Sequence, residues 1–533
     1  MIFDRLSRPR LLRRLGAALC AALMLLPPPL LAQSSLPALG DSAGEDFGVG
    51  TERRVGDQVM REIRRDPDYL DDPVLLEYLQ SIWVPLLAAA RANGNITADI
   101  DSRYAWEAFL VRDRSVNAFA LPGGYVGVHL GLIAMTGSRD ELASVLAHEM
   151  THVTQRHIAR SITNSKRQSL LSLAAMILGV IAAGRANSAD GMSAVVAGSQ
   201  AAAIQGQLNF SRDMEREADR IGFQVMTGAG FAPGGMAAMF EKLDHASHLN
   251  DSGSYPYLRS HPLTSERIGE ARMRLGTGEA SRPSMGSPAL VTSPLEHVLA
   301  QSRARVLMDT RIDALRRWQA LDGERSGNTP SEQLATAASG ALASTLLRDF
   351  ARADKSLERA AELARSGGRN DARAHRAIAL LVAQSALARG DVARANAALQ
   401  PYAGEPSRPV ALLAAQAALA AAPELAANDP ALRRSAEDLQ TRVATQPNDA
   451  TAWTTLGQVW ARLGQPLRSL RAEAEAQYAL GDLPGAIDRL RAGQRLARSS
   501  TGVDFIDASV IDSRLRDIST QFKQITAEER GRQ

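Results

Sequence analysis

His148-Glu149-Met150-Thr151-His152 brings two imidazoles and a carboxylate into five consecutive residues. On a helix, positions four apart lie one turn apart on one face, so both rings can reach a single ion at about 2.0–2.1 Å. Glu149 is rotated off that face, where it can take a proton from an attacking water instead of binding the ion. The one cysteine, Cys20, sits in an apolar N-terminal run, so a metal site here must use histidines and carboxylates. Imidazole with carboxylate suits zinc, and this spacing is the one used for zinc-dependent hydrolysis of peptide bonds.

A catalytic zinc takes three protein ligands and keeps a fourth position for water. Downstream, Glu215-Arg216-Glu217-Ala218-Asp219 stands out, because Glu215 and Asp219 are four apart and face the same way. If Glu215 binds the ion, Asp219 sits one turn on, where it either hydrogen-bonds a ligand histidine or donates a proton to the reaction. The competing reading is a solvated helix laced with Glu–Arg pairs, and Glu217 is assigned to that set. His129 and His157 are read as structural.

These residues need a scaffold. Leu142, Val145, Leu146 and Val153 recur at helical spacing around the histidine pair, and Ser138 with Glu141 supplies a capping-box start. Upstream, Glu52 to about Ala92 is patterned as helices broken at Asp-Pro pairs. From Tyr104 to Val128 the period changes. WEAFLV and GYVGVHL read as short strands joined by RDRSVNAFALPGG, whose Pro122-Gly123-Gly124 marks a tight turn. A small sheet leading into the histidine helix lets an edge strand hold an extended peptide beside the ion.

Farther on, residues 169–184 are uncharged and apolar but short for a bilayer span; a buried or half-exposed helix is expected, with a membrane-surface or lid element as the alternative. Residues 185–207, rich in Ala, Gly and Ser, read as a segment over the site. Helices return over 208–273, and a Gly/Ser/Pro-rich linker follows at 276–294. Beyond it, Trp453-x-x-Leu456-Gly457-x-x-Trp460 with Leu463-Gly464 matches the first-helix signature of tetratricopeptide repeats. Weaker copies of the repeat's tail recur at 348–364, 388–399 and 479–493, with Ala353, Ala395 and Ala486 where one helix packs on the other. Such units bury their faces on one another, so a solenoid with a concave surface is expected. Ala-rich hairpins without a groove are the alternative.

Aromatic residues make up 5% of the chain while alanine is abundant, which favours close-packed helices over a β-rich fold. The net charge of +3 is concentrated at the N-terminus, in Arg5, Arg8, Arg10, Arg13 and Arg14 against Asp4. The remainder is close to neutral and offers no electrostatic case for binding nucleic acid. The basic start, the apolar run Leu15 to Leu26 and the small residue Ala32 read as an export signal over residues 1–32.

Taken together, NAFALPGG (117–124), HEMTH (148–152), SRDMEREAD (211–219) and LRSHPLT (258–264) resemble the M48 family of zinc metallopeptidases. The resemblance implies one Zn2+ per chain held by His148, His152 and Glu215, with Glu149 as catalytic base and Asp219 as a second catalytic acid. It implies that His261 can take the fourth zinc position and hold the enzyme off; a satisfied structural histidine is the alternative. Substrate would lie extended along Asn117, Ala118, Phe119 and Ala120, or along Tyr125–Val128. With repeats behind an export signal, the resemblance implies a periplasmic endopeptidase, peripheral at the outer membrane, that promotes assembly of β-barrel proteins and degrades stalled ones. Its repeats would dock the β-barrel assembly machinery or its unfolded clients. A repeat-based chaperone or scaffold with a structural or latent zinc is the alternative, and an integral-membrane peptidase would need 169–184 to span.

The expected architecture is therefore α+β and mostly helical. A flexible leader (33–50) precedes a zincin-like metallopeptidase domain with a small sheet (51–275), the linker (276–294) and an all-α tetratricopeptide-repeat solenoid (295–533).

Overall fold

The structure, a computed structural model, describes residues 48–163, 211–249, 255–276, 294–324, 327–366, 371–422, 426–499 and 504–530. The expected export signal (1–32), nearly all of the leader, the stretches 169–184 and 185–207, and most of the linker lie outside the described residues.

Helix α1 (Val49–Arg65) begins inside the expected leader, because Val55, Val59, Met60 and Ile63 form a buried stripe at helical spacing. After the two-residue strand β1 (Tyr69–Leu70) comes α2 (Pro73–Ala92). Asp72 opens it by accepting the Leu75 N–H at 2.9 Å, with Pro73 at the first position, where no N–H is needed. By length and composition α2 could cross a membrane, but here Leu75, Leu79, Ile82, Trp83 and Leu86 are buried in the main core.

A short helix α3 (Ala98–Arg103) leads to β2 (Glu107–Val111), β3 (Ala118–Leu121) and β4 (Tyr125–His129). The sheet order is β1-β2-β4-β3. Strand β2 runs parallel to β4, with Glu107 opposite Tyr125, and β3 runs antiparallel to β4, with Ala118 opposite Val128. The segment expected to join two strands thus contains a third. NAFAL folds back through the Pro-Gly-Gly turn because pairing with β4 satisfies its backbone groups. That leaves β3 at the sheet edge and β4 inside it.

Helix α4 (Leu130–Met135) follows, then α5 (Arg139–Thr154), α6 (His157–Thr163), α7 (Arg212–Gly228), α8 (Gly234–Leu249), α9 (Pro256–Ser260) and α10 (Ser265–Gly276). Helix α5 carries the histidine pair and packs against α7, α8 and β3. Its expected capping box forms by half. Ser138 Oγ accepts the Glu141 N–H at 3.1 Å, but the Glu141 carboxylate accepts the Gly137 N–H at 2.6 Å and pairs with Lys242 at 2.6 Å.

Helix α11 (Pro294–Leu307) lies across α4 and α2. His297 Nε2 donates to the Thr136 carbonyl at 2.9 Å, Gln301 donates to the same oxygen, and Arg305 donates to the Ala134 carbonyl at 3.1 Å. From there to residue 530, successive helices pack on one another as hairpins, among them Ala450–Arg462, Pro466–Ala479 and Leu483–Ser499. Ala353, Ala395 and Ala486 are fully buried at these contacts. The two halves share one core, in which Leu79 and Leu86 belong with Leu342 and Leu381. Ion pairs Asp72–Arg303 (2.7 Å), Glu77–Arg376 (2.6 Å) and Asp71–Arg408 (2.7 Å) cross the same junction.

Candidate metal centre

Three elements converge on the histidine pair. Helix α5 places His148, Glu149 and His152 in the core, each essentially without solvent exposure. Helix α7, opened by Ser211 Oγ accepting the Met214 N–H at 3.3 Å, presents Glu215 and Asp219 from one buried face. The approach is close because residue 222 is glycine: a Cβ there would stand 3.1 Å from the His148 nitrogen of the α5 backbone. The chain leaving α9 then brings in His261, also buried.

His148, His152, Glu215 and His261 offer four ligand atoms within 4.8 Å of one another. Four donors on a tetrahedral zinc would stand about 3.4 Å apart. His148 Nε2 lies 3.0 Å from His152 Nε2 and 3.5 Å from Glu215 Oε2. His152 Nε2 lies 3.6 Å from Glu215 Oε1, and His261 Nδ1 lies 3.4 Å from His148 Nε2 and 2.9 Å from Glu215 Oε1. The residues present therefore fit a tetrahedral cation. Electrostatics point the same way. Burial works to lower the His148 pKa, but hydrogen bonds to Asp219 and Glu215 outweigh it and push it up to about 9. Positive charge is thus favoured where an ion would sit. Burial, with His148 beside it, holds His152 well below the ordinary histidine value. Glu215 is held far below the carboxylate range by His261 and His148 in spite of its burial.

Glu149 stands apart. Neither carboxylate oxygen has a well-formed hydrogen bond among the described residues; the Ala120 backbone N–H is the donor beside it, and His261 Nε2 lies 3.5 Å from Oε1. Burial raises its pKa, against the opposing pull of His261 and His148. A carboxylate with a raised pKa and no strong hydrogen bond, at the edge of the donor cluster, is suited to take up a proton.

Asp219 sits behind His148, with Oδ1 3.0 Å from Nδ1, the ring nitrogen that faces away from the cluster. Arg267 clamps both Asp219 oxygens at 2.7 and 2.8 Å, and also lies 2.9 Å from Glu215 Oε2. Despite burial, Arg267 and His148 hold the Asp219 pKa down. Of the two roles open from sequence, this placement behind His148 favours orienting the histidine.

Several neighbours carry no signal at the level of motif spacing. Arg267, Tyr257 and His157 all border the cluster. The Tyr257 ring packs 4.7 Å from that of His261, and its hydroxyl pKa is raised well above ordinary by burial. His157, read as structural, lies with Nδ1 2.8 Å from His152 Nδ1, and burial pushes it down to about 4. Glu217, assigned to the solvated set, instead accepts from His157 and Arg160. His129 keeps its structural reading, with Ser115 at 2.8 Å.

Strand β3 runs beside Glu149, to which the Ala120 backbone is the neighbouring donor. The Asn117 carbonyl accepts the His129 N–H, so by the alternation of antiparallel pairs Ala118 and Ala120 direct their backbone groups away from β4. Phe119 packs edge-on to Phe109, and the Asn117 amide oxygen is buried without a partner among the described residues. Tyr125–Val128 does not serve as a peptide edge, because β4 is paired on both sides by β2 and β3.

With this geometry in hand, the chain can be set beside known proteins. Over 270 residues it is 34% identical to the beta-barrel assembly-enhancing protease of Escherichia coli (strain K12), covering 50% of this chain and 51% of that protein. The Yersinia pestis beta-barrel assembly-enhancing protease is 36% identical over 246 residues, 46% of this chain and 48% of the relative. The mitochondrial metalloendopeptidase OMA1 of Schizosaccharomyces pombe is 33% identical over 174 residues, 31% of this chain and 44% of its own. The chain thus spans about half the length of the curated relatives it matches. The whole donor cluster lies within residues 86–275, the segment that matches the model of Peptidase family M48.

Proposed function

We propose that this chain is a zinc-dependent endopeptidase acting on unfolded or misassembled polypeptides. The observation that carries the reading is the convergence of His148, His152 and Glu215 beside the buried, weakly bonded carboxylate of Glu149. Zinc, when bound, supplies a Lewis acid that polarises a scissile carbonyl and makes hydroxide available near neutral pH. The residues do the rest. An extended substrate adds to the free edge of β3, using the backbone groups of Ala118 and Ala120, with Asn117 and Phe119 flanking. Glu149 takes the proton from the attacking water and delivers it to the leaving amine. Asp219, held by Arg267, keeps the His148 ring in place.

Glu149→Gln is the direct test. The variant should retain zinc and lose proteolysis by at least ~100-fold, the scale of general-base catalysis; full activity ends the assignment.

The relatives' names point to a wider role, which we infer for this chain: a periplasmic quality-control protease that promotes assembly of outer-membrane β-barrel proteins and removes those that stall. The repeat-like half is the surface for the barrel-assembly machinery or its clients, with tetratricopeptide-type hairpins as the unit. The domains are read as peptidase over 51–275 and repeats over 295–533, behind an export signal. One observation favours a second reading. His261 completes the donor set, and a fourth protein ligand displaces the water that hydrolysis needs. A latent site of this kind fits a chaperone or scaffold whose zinc is structural. If Glu149→Gln rescues barrel assembly as well as the wild type does, assembly is independent of cleavage; failure of that rescue ties the two together.

A further inference from the structure

His157 has no part in the mechanism above, yet it is wholly buried against a proposed ligand. It follows a left-handed turn at Arg156 (φ 53°), whose guanidinium is fixed by Glu52 at 2.6 Å. The ring then spans two helices. Nδ1 lies 2.8 Å from His152 Nδ1, Nε2 lies 3.0 Å from Glu217 Oε2, and Arg160 donates to that same oxygen at 2.9 Å.

Hydrogen-bond inventory fixes the direction of each bond. A carboxylate paired with arginine only accepts, so His157 Nε2 carries a hydrogen. A ring that ligates a metal through Nε2 keeps its hydrogen on Nδ1, so with His152 as a ligand the 2.8 Å contact makes His157 Nδ1 the acceptor. His152 then directs its Nε2 lone pair toward His148 and Glu215.

We propose that Arg160, Glu217 and His157 form a positioning relay that locks His152 in its metal-ligating tautomer and ring orientation. The inference rests on the reading of His152 as a ligand. It means that the two helix histidines are held by different devices: a carboxylate directly behind His148, and a second imidazole interposed between His152 and its carboxylate. Without the relay, the His152 ring is free to turn or to carry its hydrogen on Nε2, and either disables it as a donor.

Zinc affinity of the full chain, measured by competition with a chelator, reads this out independently of activity. His157→Leu keeps an apolar side chain and removes the acceptor; its zinc dissociation constant should rise about 10–100-fold, the usual cost of losing an outer-shell partner. His157→Asn puts an amide oxygen near the position of Nδ1 and should stay within about threefold of wild type. Equal losses in Leu and Asn, or none in Leu, overturn the relay. Should His157→Leu not fold, Glu217→Ala at the partly exposed end decides: weakened zinc binding supports the proposal and wild-type affinity refutes it. His152→Ala is the separate control. If that variant binds zinc normally, the ligand assignment itself has failed, whatever the His157 variants do.

Discussion

Burying a charged carboxylate without strong hydrogen bonds is costly, so a fold that leaves Glu149 with only the Ala120 backbone as a weak donor keeps it near the point of accepting a proton. His261 Nε2 lies 3.5 Å from Glu149 Oε1, and His261 is also the fourth member of the donor cluster, which gives one side chain a hold on both halves of the chemistry. Replacing it should therefore open the site. His261→Ala is expected to raise proteolysis of an unfolded protein several-fold, on the order of 1 kcal/mol, while loosening zinc; loss of activity in a metal-loaded variant would mean that His261 helps the reaction instead. The ligand candidates were readable because positions four apart on a helix announce a shared face. His157 and Arg267 were not. His157 lies five residues past His152 across the turn at Arg156, and Arg267 reaches Asp219 from a separate helix, so no local period links either to the motif.

Helices and strands set how well those residues stay aimed. The Pro-Gly-Gly turn that positions β3 is backed by α1, and a Cβ at Gly56 would collide with the Pro122 carbonyl. Gly56→Ala adds about 1 kcal/mol of helix propensity but overpacks a backbone contact, which costs ~1–3 kcal/mol. Net destabilisation is expected in thermal melts, with a raised KM because the substrate edge shifts with the turn; a stabilised variant would show that the turn yields freely. Strands β2 and β4 were legible as apolar runs. Strand β3 was concealed because only four residues precede the turn, and β1 because two residues cannot show an alternation. Half the capping box failed for a tertiary reason: Lys242 on α8 pairs with the Glu141 carboxylate, a partner no local pattern reveals.

Across the whole molecule, the catalytic and repeat-like halves are joined by a common apolar core and by salt bridges that cross it. The Asp72 carboxyl is held below its ordinary pKa, against burial, by Arg303 across the junction, and on the repeat-like side Asp449 is held down by Arg408, which itself pairs with Asp71 across it. A depressed folded pKa stabilises only while the group is ionised. That contribution is complete above the unfolded value of about 3.9 and is lost as pH falls below it through the folded values. Acidification below about pH 4 should thus loosen the junction, seen as an increased radius of gyration in solution scattering, with no change from these groups between pH 5 and 8. A constant radius down to pH 3 would count against it. Helix α11 adds a constraint on how such chains can be recombined. Its side chains bond the carbonyls of Ala134 and Thr136, which immediately precede the helix bearing His148. A chimera that swaps in a foreign superhelical array must therefore splice after Leu307 and keep α11 with its native catalytic half, since a cut in the Gly/Ser/Pro-rich stretch before it would strip those carbonyls of their donors.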